Sequence, residues 1–277
     1  MLSTAQMLEK YYLVDKLPNI WCAGCGDGAI AAALVRAVDE LGIDKNSLTQ
    51  VNGIGCSGRV GAYQDFDVIK GTHGRALAFA TGIKLFKPEL TVVAIMGDGD
   101  CGAIGGNHFI HAARRNIDLT ALVINNRIYG MTGGQSSPTT PFGDRASTAL
   151  TGSVERPFDL CQLAIGAGAT YVARGTVYHI KQLQRLLKNA IAHKGFSFVE
   201  VVSQCPIYYG RYNDEASPAA MLRWQKESAV SVTAAQGLSP EELQGKIVIG
   251  EFVAKDEPEF VSEYQALIDR YGQEAAE

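Results

Sequence analysis

The residues of this 277-residue chain best placed to do chemistry are four acids and amides and six thiols. Gly97-Asp98-Gly99-Asp100 follows the apolar, β-branched run Thr91–Met96, and Asn125-Asn126 follows a second apolar run, Leu119–Ile124. Asp98 and Asn126 are 126 − 98 = 28 residues apart. A helical stretch, roughly Gly106 to Asn116, fills the interval, so the spacing predicts one βαβ unit with both side chains on the carboxyl rim of a parallel sheet. That rim is where open α/β sheets bind ligands. A carboxylate, an amide oxygen and a nearby carbonyl are oxygen donors that Mg²⁺ accepts when phosphates and water complete its shell. The two glycines let the backbone turn sharply and approach a ligand closely.

The thiols recur at comparable places. Cys22 and Cys25 lie just before a helix whose apolar residues Ile30, Leu34, Val38 and Leu41 keep helical spacing, with Asp27 as candidate N-cap and Gly42 as the stop. Cys56 ends a short strand, Thr49–Gly55, and Cys205 follows the buried strand Phe196–Val202. Cys161 falls on the apolar side of a helix over Phe158–Ala169 and reads as a packing residue; Cys101 reads as a packing or near-cofactor thiol. A lone CxxC fits a redox dithiol, half of a zinc site, half of an iron–sulfur site or chance. Four thiolates suit a [4Fe–4S] cubane or a tetrahedral zinc ion alike.

The elements that must position these groups alternate. Helices are expected over Ala76–Phe86 and Val177–His193, strands over Tyr171–Arg174 and Phe196–Val202, and Asp65–Lys70 is either a local pairing or a loop. The Gly-rich stretch from Tyr129 and the polar Thr148–Ser153 read as a long functional loop. Met1–Asn19 reads as an arm leading into the first site. Beyond Arg211 the periodicity weakens: a short helix from Ser239, a strand near Lys246–Phe252 and an amphipathic helix over Pro258–Tyr271. The expected division is 1–211 for the cofactor-bearing domain and 212–277 for an extension packing on the core or on a partner subunit. Repeated strand–helix alternation predicts an α/β fold with a mostly parallel sheet and helices on both faces.

Composition narrows the function classes. The chain is 47% hydrophobic with a net charge of −4 and no basic, aromatic-interleaved run, which argues against nucleic-acid binding. Its apolar runs fall short of the ~20 residues that span a bilayer, and its first residues lack a signal-peptide pattern, so a cytoplasmic protein with no membrane partner is expected.

Taken together, WCAGCGDG, GIGCSGR, THGRA, MGDGD…NN, YGMTGGQ and SQCP, in that order, resemble the β subunit of 2-oxoacid:ferredoxin oxidoreductases, in particular the 2-oxoglutarate type. The resemblance runs from about Trp21 to Arg211. It implies the diphosphate-binding domain of a thiamine-diphosphate fold. It implies that Asp98, Asn126 and the carbonyl of Ile128 bind Mg²⁺, and that Cys22, Cys25, Cys56 and Cys205 bind one [4Fe–4S] cluster. Ile54, Gly55, Cys56, Ser57, Gly130 and Met131 would line the cofactor, Gly99 and Asp100 would meet the diphosphate and its metal, and His73 would be the catalytic histidine. Many relatives carry a lysine where this chain has Gly133, which leaves a distal substrate carboxylate to Arg75 or to a partner chain. The implied reaction is reversible, coenzyme A-dependent oxidative decarboxylation of a 2-oxoacid, with electrons leaving to ferredoxin. The implied partner is an α subunit carrying the pyrimidine-binding half, in an αβ or (αβ)₂ assembly. Three other readings remain at this stage: the same enzyme with pyruvate or a branched-chain 2-oxoacid as substrate, a non-redox thiamine enzyme with structural zinc, and a cluster-binding electron carrier with no carbon chemistry.

Overall fold

The computed structural model describes residues 2–215 and 217–274. Its centre is an eight-stranded sheet. The strands are β1 (Leu48–Asn52), β2 (Asp67–Lys70), β3 (Thr91–Gly97), β4 (Leu119–Asn125), β7 (Tyr171–Thr176), β8 (Phe196–Val202), β9 (Ala229–Ser231) and β10 (Ile247–Ala254). They run in the order β2-β1-β3-β4-β8-β7-β10-β9, and every neighbouring pair is parallel except β10 against β7. A two-residue hairpin, β5 (Ile128–Tyr129) with β6 (Gln135–Ser136), lies apart from the sheet.

Strand alternation splits the core in two. Val93 and Ile95 of β3, with Leu122 and Ile124 of β4, face the helices Asp27–Leu41 and Ile180–Ala192. Val92, Ala94 and Met96, with Ala121 and Val123, face the helices Ala76–Phe86, Gly106–Arg114 and Leu160–Gly166. Both β4 and β8 are buried along their whole length, which is why they read as unbroken apolar runs.

Several elements differ from the sequence reading. Asp65–Lys70 contributes an edge strand, β2, exposed along its length. The amino-terminal arm contains a helix, Thr4–Tyr11, closed by a Ser3/Gln6 capping box and anchored by the fully buried Tyr11. Asp27 is not the N-cap: Gly26 holds that position, and Asp27 lies inside the first turn, 1% exposed, with neither carboxylate oxygen hydrogen-bonded. Phe196–Val202 is not the end of the sheet, because β10 continues it through antiparallel pairing with β7. This β10, Ile247–Ala254, is the strand expected near Lys246–Phe252; what the sequence did not show is its pairing. Among the described residues no helix is long and apolar enough to cross a membrane.

At the amino-terminal edge of the sheet, Lys84 and Asp118 form a buried ion pair of 2.9 Å. Lys84 also donates to the Leu90 carbonyl at 2.8 Å, and Asp118 accepts from Gly195 N–H at 3.1 Å. Burial alone would raise the Asp118 carboxyl, but the hydrogen bond and charge of Lys84, with Gly195 and Lys194, outweigh it and hold the group below its ordinary value. A depressed carboxyl stabilises the fold above the unfolded-state value and stops doing so as the pH falls through the folded one. Lys84→Met should therefore cost about 3 kcal/mol at pH 7 in urea unfolding, and the difference from the parent should shrink below about pH 4.

Candidate thiamine and iron–sulfur site

The carboxyl ends of β1, β3 and β4 open into a cleft of about 290 Å³. Its lining includes Ile54, Gly55, Cys56 and Ser57 after β1, His73, then Asp98, Gly99 and Asp100 after β3. Asn126, Ile128, Gly130 and Met131 line it from beyond β4. The structure thus brings every sequence-selected thiamine and Mg²⁺ candidate to one rim. Arg75 is not in that lining. It is exposed, and its guanidinium donates to the Ile104 carbonyl at 3.2 Å.

Asp98 is 3% exposed, and burial pushes its carboxyl up to about 6 despite hydrogen bonds from Ser137 and Thr139. Among the described residues no cationic side chain forms an ion pair with it. A buried carboxylate with oxygen-bearing neighbours and no protein cation suits a hard divalent ion. Asn126 caps its own turn: its side-chain oxygen accepts from Ile128 N–H at 3.2 Å. Between them Arg127 adopts φ +65°, left-handed backbone that non-glycine residues rarely take. The guanidinium lies 4.4 Å over the Trp224 ring and donates to the Tyr209 hydroxyl at 3.3 Å, and the Arg127 carbonyl accepts from Thr140 at 2.6 Å. Those contacts hold the unfavourable turn in place.

Asp100 points elsewhere than its neighbour. It accepts from Ile54 N–H at 3.0 Å and from Gly74 N–H at 2.5 Å, and lies 2.8 Å from His73 Nδ1. That last contact has ion-pair distance without hydrogen-bond alignment. One carboxylate therefore ties the ends of β1 and the His73 loop to β3, and leaves Nε2 as the other ring nitrogen. Gly53 is needed for this, since a Cβ there would collide with Asp100 Oδ2. Gly99 is needed for a different reason: its missing Cβ makes room for the Tyr129 ring, whose hydroxyl donates to the Gly99 carbonyl at 3.1 Å.

The four selected cysteines are free thiols in loops beside the same cleft. Gly130 separates the two sites: a Cβ there would lie 3.6 Å from Cys56 Sγ and 3.7 Å from Cys205 Sγ. The Trp21 indole donates to the Cys56 carbonyl at 2.9 Å, tying the first cysteine loop to the second. Cys25 and Cys56 are raised by burial first and then by the negative charge of Asp27; Cys56 is pushed up to about 12. Cys205 is raised by burial, against hydrogen bonds from Tyr209 and Tyr208 N–H. Burial and Asp27 disfavour the thiolates, so these thiols keep their protons until a bound cation supplies the charge that favours losing them. A zinc tetrathiolate with 2.3 Å bonds would place its sulfurs about 3.8 Å apart. Four such thiols can hold a tetrahedral zinc ion or a [4Fe–4S] cubane alike. The two other cysteines are fully buried: Cys101 packs in the core, and Cys161 donates weakly to Glu200 at 3.4 Å.

Residues beyond 211 reach this site. Pro218 packs against Gly24 in the first cysteine loop, and Gln225 donates to Gln204, which donates to the Gly24 carbonyl at 3.0 Å. The sequence carried no signal for these contacts, nor for Tyr129, Thr139 or Arg127, because each depends on segments far apart in the chain.

Comparison with known proteins agrees with this geometry. The family described as thiamine pyrophosphate enzyme, C-terminal TPP binding domain, matches residues 53–201. The 2-oxoglutarate synthase subunit KorB of Methanocaldococcus jannaschii is 54% identical over 261 residues, 94% of this chain and 97% of that protein. The 2-oxoacid:ferredoxin oxidoreductase 2 subunit beta of Aeropyrum pernix is 39% identical over 231 residues, covering 82% of this chain and 72% of that one. This chain belongs to the 2-oxoacid:ferredoxin oxidoreductase β-subunit family. Among solved structures, the 2-oxoglutarate:ferredoxin oxidoreductase from Magnetococcus marinus, with 2-oxoglutarate, coenzyme A and succinyl-CoA bound, superposes with a TM-score of 0.84 at 32% identity. The match covers 96% of this chain and 90% of that one. The oxidoreductase subunit is thus an α/β protein of the thiamine-diphosphate fold, with a mostly parallel sheet.

The raised Asp98 carboxyl has a consequence for the metal-free subunit. A carboxyl raised on folding stabilises the fold fully below the unfolded value of about 3.8, and that stabilisation is lost as the pH rises through about 6. Asp98→Asn should make the metal-free subunit more stable at pH 7 by roughly 2–3 kcal/mol and remove that part of its pH dependence, measured by urea unfolding in EDTA.

Proposed function

We propose that this chain supplies the thiamine-diphosphate, Mg²⁺ and [4Fe–4S] half of a ferredoxin-dependent 2-oxoacid oxidoreductase. The substrate is 2-oxoglutarate, converted with coenzyme A to succinyl-CoA and CO₂. The observation that carries this reading is that Gly130, in the wall of the cleft lined by the buried, cation-free Asp98, sits directly against two of the four thiols, Cys56 and Cys205, and against the Asn126 amide. The names of the relatives and the ligands bound in the Magnetococcus marinus enzyme support the choice of 2-oxoacid.

Asp98, the Asn126 amide oxygen and the Ile128 carbonyl would hold Mg²⁺ and, through it, the diphosphate. Gly99 and Asp100 would meet the diphosphate, and Ile54, Gly55, Ser57, Gly130 and Met131, which line the cleft, would line the cofactor. Bound thiamine diphosphate supplies a nucleophilic carbon that stores electrons from the 2-oxoacid. Cys22, Cys25, Cys56 and Cys205 would hold the cluster, the one-electron relay to ferredoxin. His73, held by Asp100 at the rim, offers Nε2 to move a proton or to stabilise charge on the substrate oxygen.

The cleft is half of a site. Ile54 and Met131 at its rim are exposed apolar side chains, as are Phe142, Leu150 and Val154 of the loop that follows it. An α subunit carrying the pyrimidine-binding half would cover them and contribute to the coenzyme A site. Residues 1–211 would bear the cofactor ligands and 212–277 would brace them. The cell compartment proposed is the cytoplasm.

Anaerobic co-expression with the α subunit should yield about one thiamine and four irons per β chain, and a cubane EPR signal on dithionite reduction. Cys205→Ala should lose the signal and the ferredoxin-linked turnover, and the β chain alone should be inactive. Zinc in place of iron, or a cluster without thiamine, would overturn the proposal.

A further inference from the structure

Asp98 does not stand alone at the end of β3. The Thr139 hydroxyl lies 2.5 Å from Asp98 Oδ2 and 2.9 Å from Asn125 Oδ1. The Asn125 amide donates to Glu200 Oε1 at 2.6 Å. Glu200 Oε2 accepts from Arg174 Nε at 2.6 Å, and Arg174 Nη2 reaches Asp159 at 2.6 Å. Asp98, Thr139, Asn125 and Glu200 are each at most 7% exposed. The chain of contacts runs from the protein surface at Asp159 to the carboxylate at the cleft.

Its directions are fixed by chemistry. Glu200, paired with Arg174, can only accept, so Asn125 must turn its NH₂ toward Glu200 and its oxygen toward Thr139. That oxygen already accepts from Arg127 N–H at 3.0 Å. Thr139 is therefore the donor in both of its contacts, its one proton shared between Asp98 Oδ2 at the shorter distance and Asn125 Oδ1. A buried Glu–Arg pair costs desolvation that an apolar pair of the same volume would avoid. It is therefore hard to account for as a stabiliser of the sheet, and well suited to fixing polar geometry.

We infer that Thr139, Asn125 and Glu200 are positioning residues that set the Asp98 carboxylate plane for its divalent cation. The inference rests on the reading of Asp98 as a Mg²⁺ ligand. Asn125 thereby acquires a role distinct from that of Asn126: one faces the cation, the other braces its carboxylate partner. Outer-shell partners of metal ligands typically change metal affinity ten- to a hundred-fold when removed.

The test is the Mg²⁺ dependence of thiamine diphosphate binding to the co-expressed αβ complex, followed by isothermal titration at fixed thiamine diphosphate. Thr139→Val keeps the shape and removes the hydroxyl; its half-saturating Mg²⁺ should rise at least ten-fold. Thr139→Ser should restore the parent value. Glu200→Gln, which keeps volume and removes charge, should raise the requirement several-fold and serves as the independent probe if Thr139→Val does not fold. Iron content should be unchanged in all three. A Thr139→Val or Glu200→Gln complex with the parent's Mg²⁺ requirement overturns the inference and leaves the thiamine reading standing. A parent complex that binds thiamine diphosphate without Mg²⁺ overturns both.

Discussion

A sheet covered by helices on both faces can place polar chemistry only at the ends of its strands. β3 and β4 are apolar throughout because each side meets a packed layer, and the first polar groups they offer are Asp98 and Asn125-Asn126 at their carboxyl termini. Parallel pairing then puts both ends on one rim. The burial of the Asp98 carboxylate at the cleft follows from this constraint. The loops around it are shaped to leave it accessible from the cleft while shielding it from every lysine and arginine of the described chain.

The iron–sulfur candidates obey the same constraint at one remove. Cys56 follows β1 and Cys205 follows β8, two strand ends on the rim, while Cys22 and Cys25 arrive on the loop before the helix Asp27–Leu41. Gly130, lacking a side chain, is the thinnest wall the backbone can offer between the thiols and the thiamine cleft. Electron transfer between adjacent redox groups gains from short separation, so a glycine at this position serves the proposed chemistry as well as the packing.

The extension beyond Arg211 belongs to this economy. β10 closes the sheet beside β7, Pro218 and Gln225 secure the first cysteine loop, and Trp224 stacks on Arg127. The left-handed turn at Arg127 is costly by itself, and the aromatic residues that hold it come from segments about 80 and 100 residues further along the chain. The two candidate metal sites are thus braced by one set of contacts.

The sequence by itself determined the strand–helix alternation, the parallel sheet and the rim positions of Asp98, Asn126 and the cysteines. These rest on local signals: β-branched runs, glycine turns and fixed spacings, each readable within a few dozen residues. Only the tertiary structure decided the rest. Asp27 reads as an N-cap locally, yet it is buried without a partner beside the thiols. Arg75 reads as an anion contact, yet it turns to the Ile104 carbonyl outside the cleft. Asp100 reads as a cleft residue and lines the cleft, and the structure adds that Ile54 and Gly74 N–H groups and His73 hold its oxygens. The chain from Arg174 through Glu200, Asn125 and Thr139 to Asp98 has no sequence signature at all. Hydrogen-bond partners drawn from three strands and two loops depend on strand register and loop closure, and those are set by the packing of the whole domain.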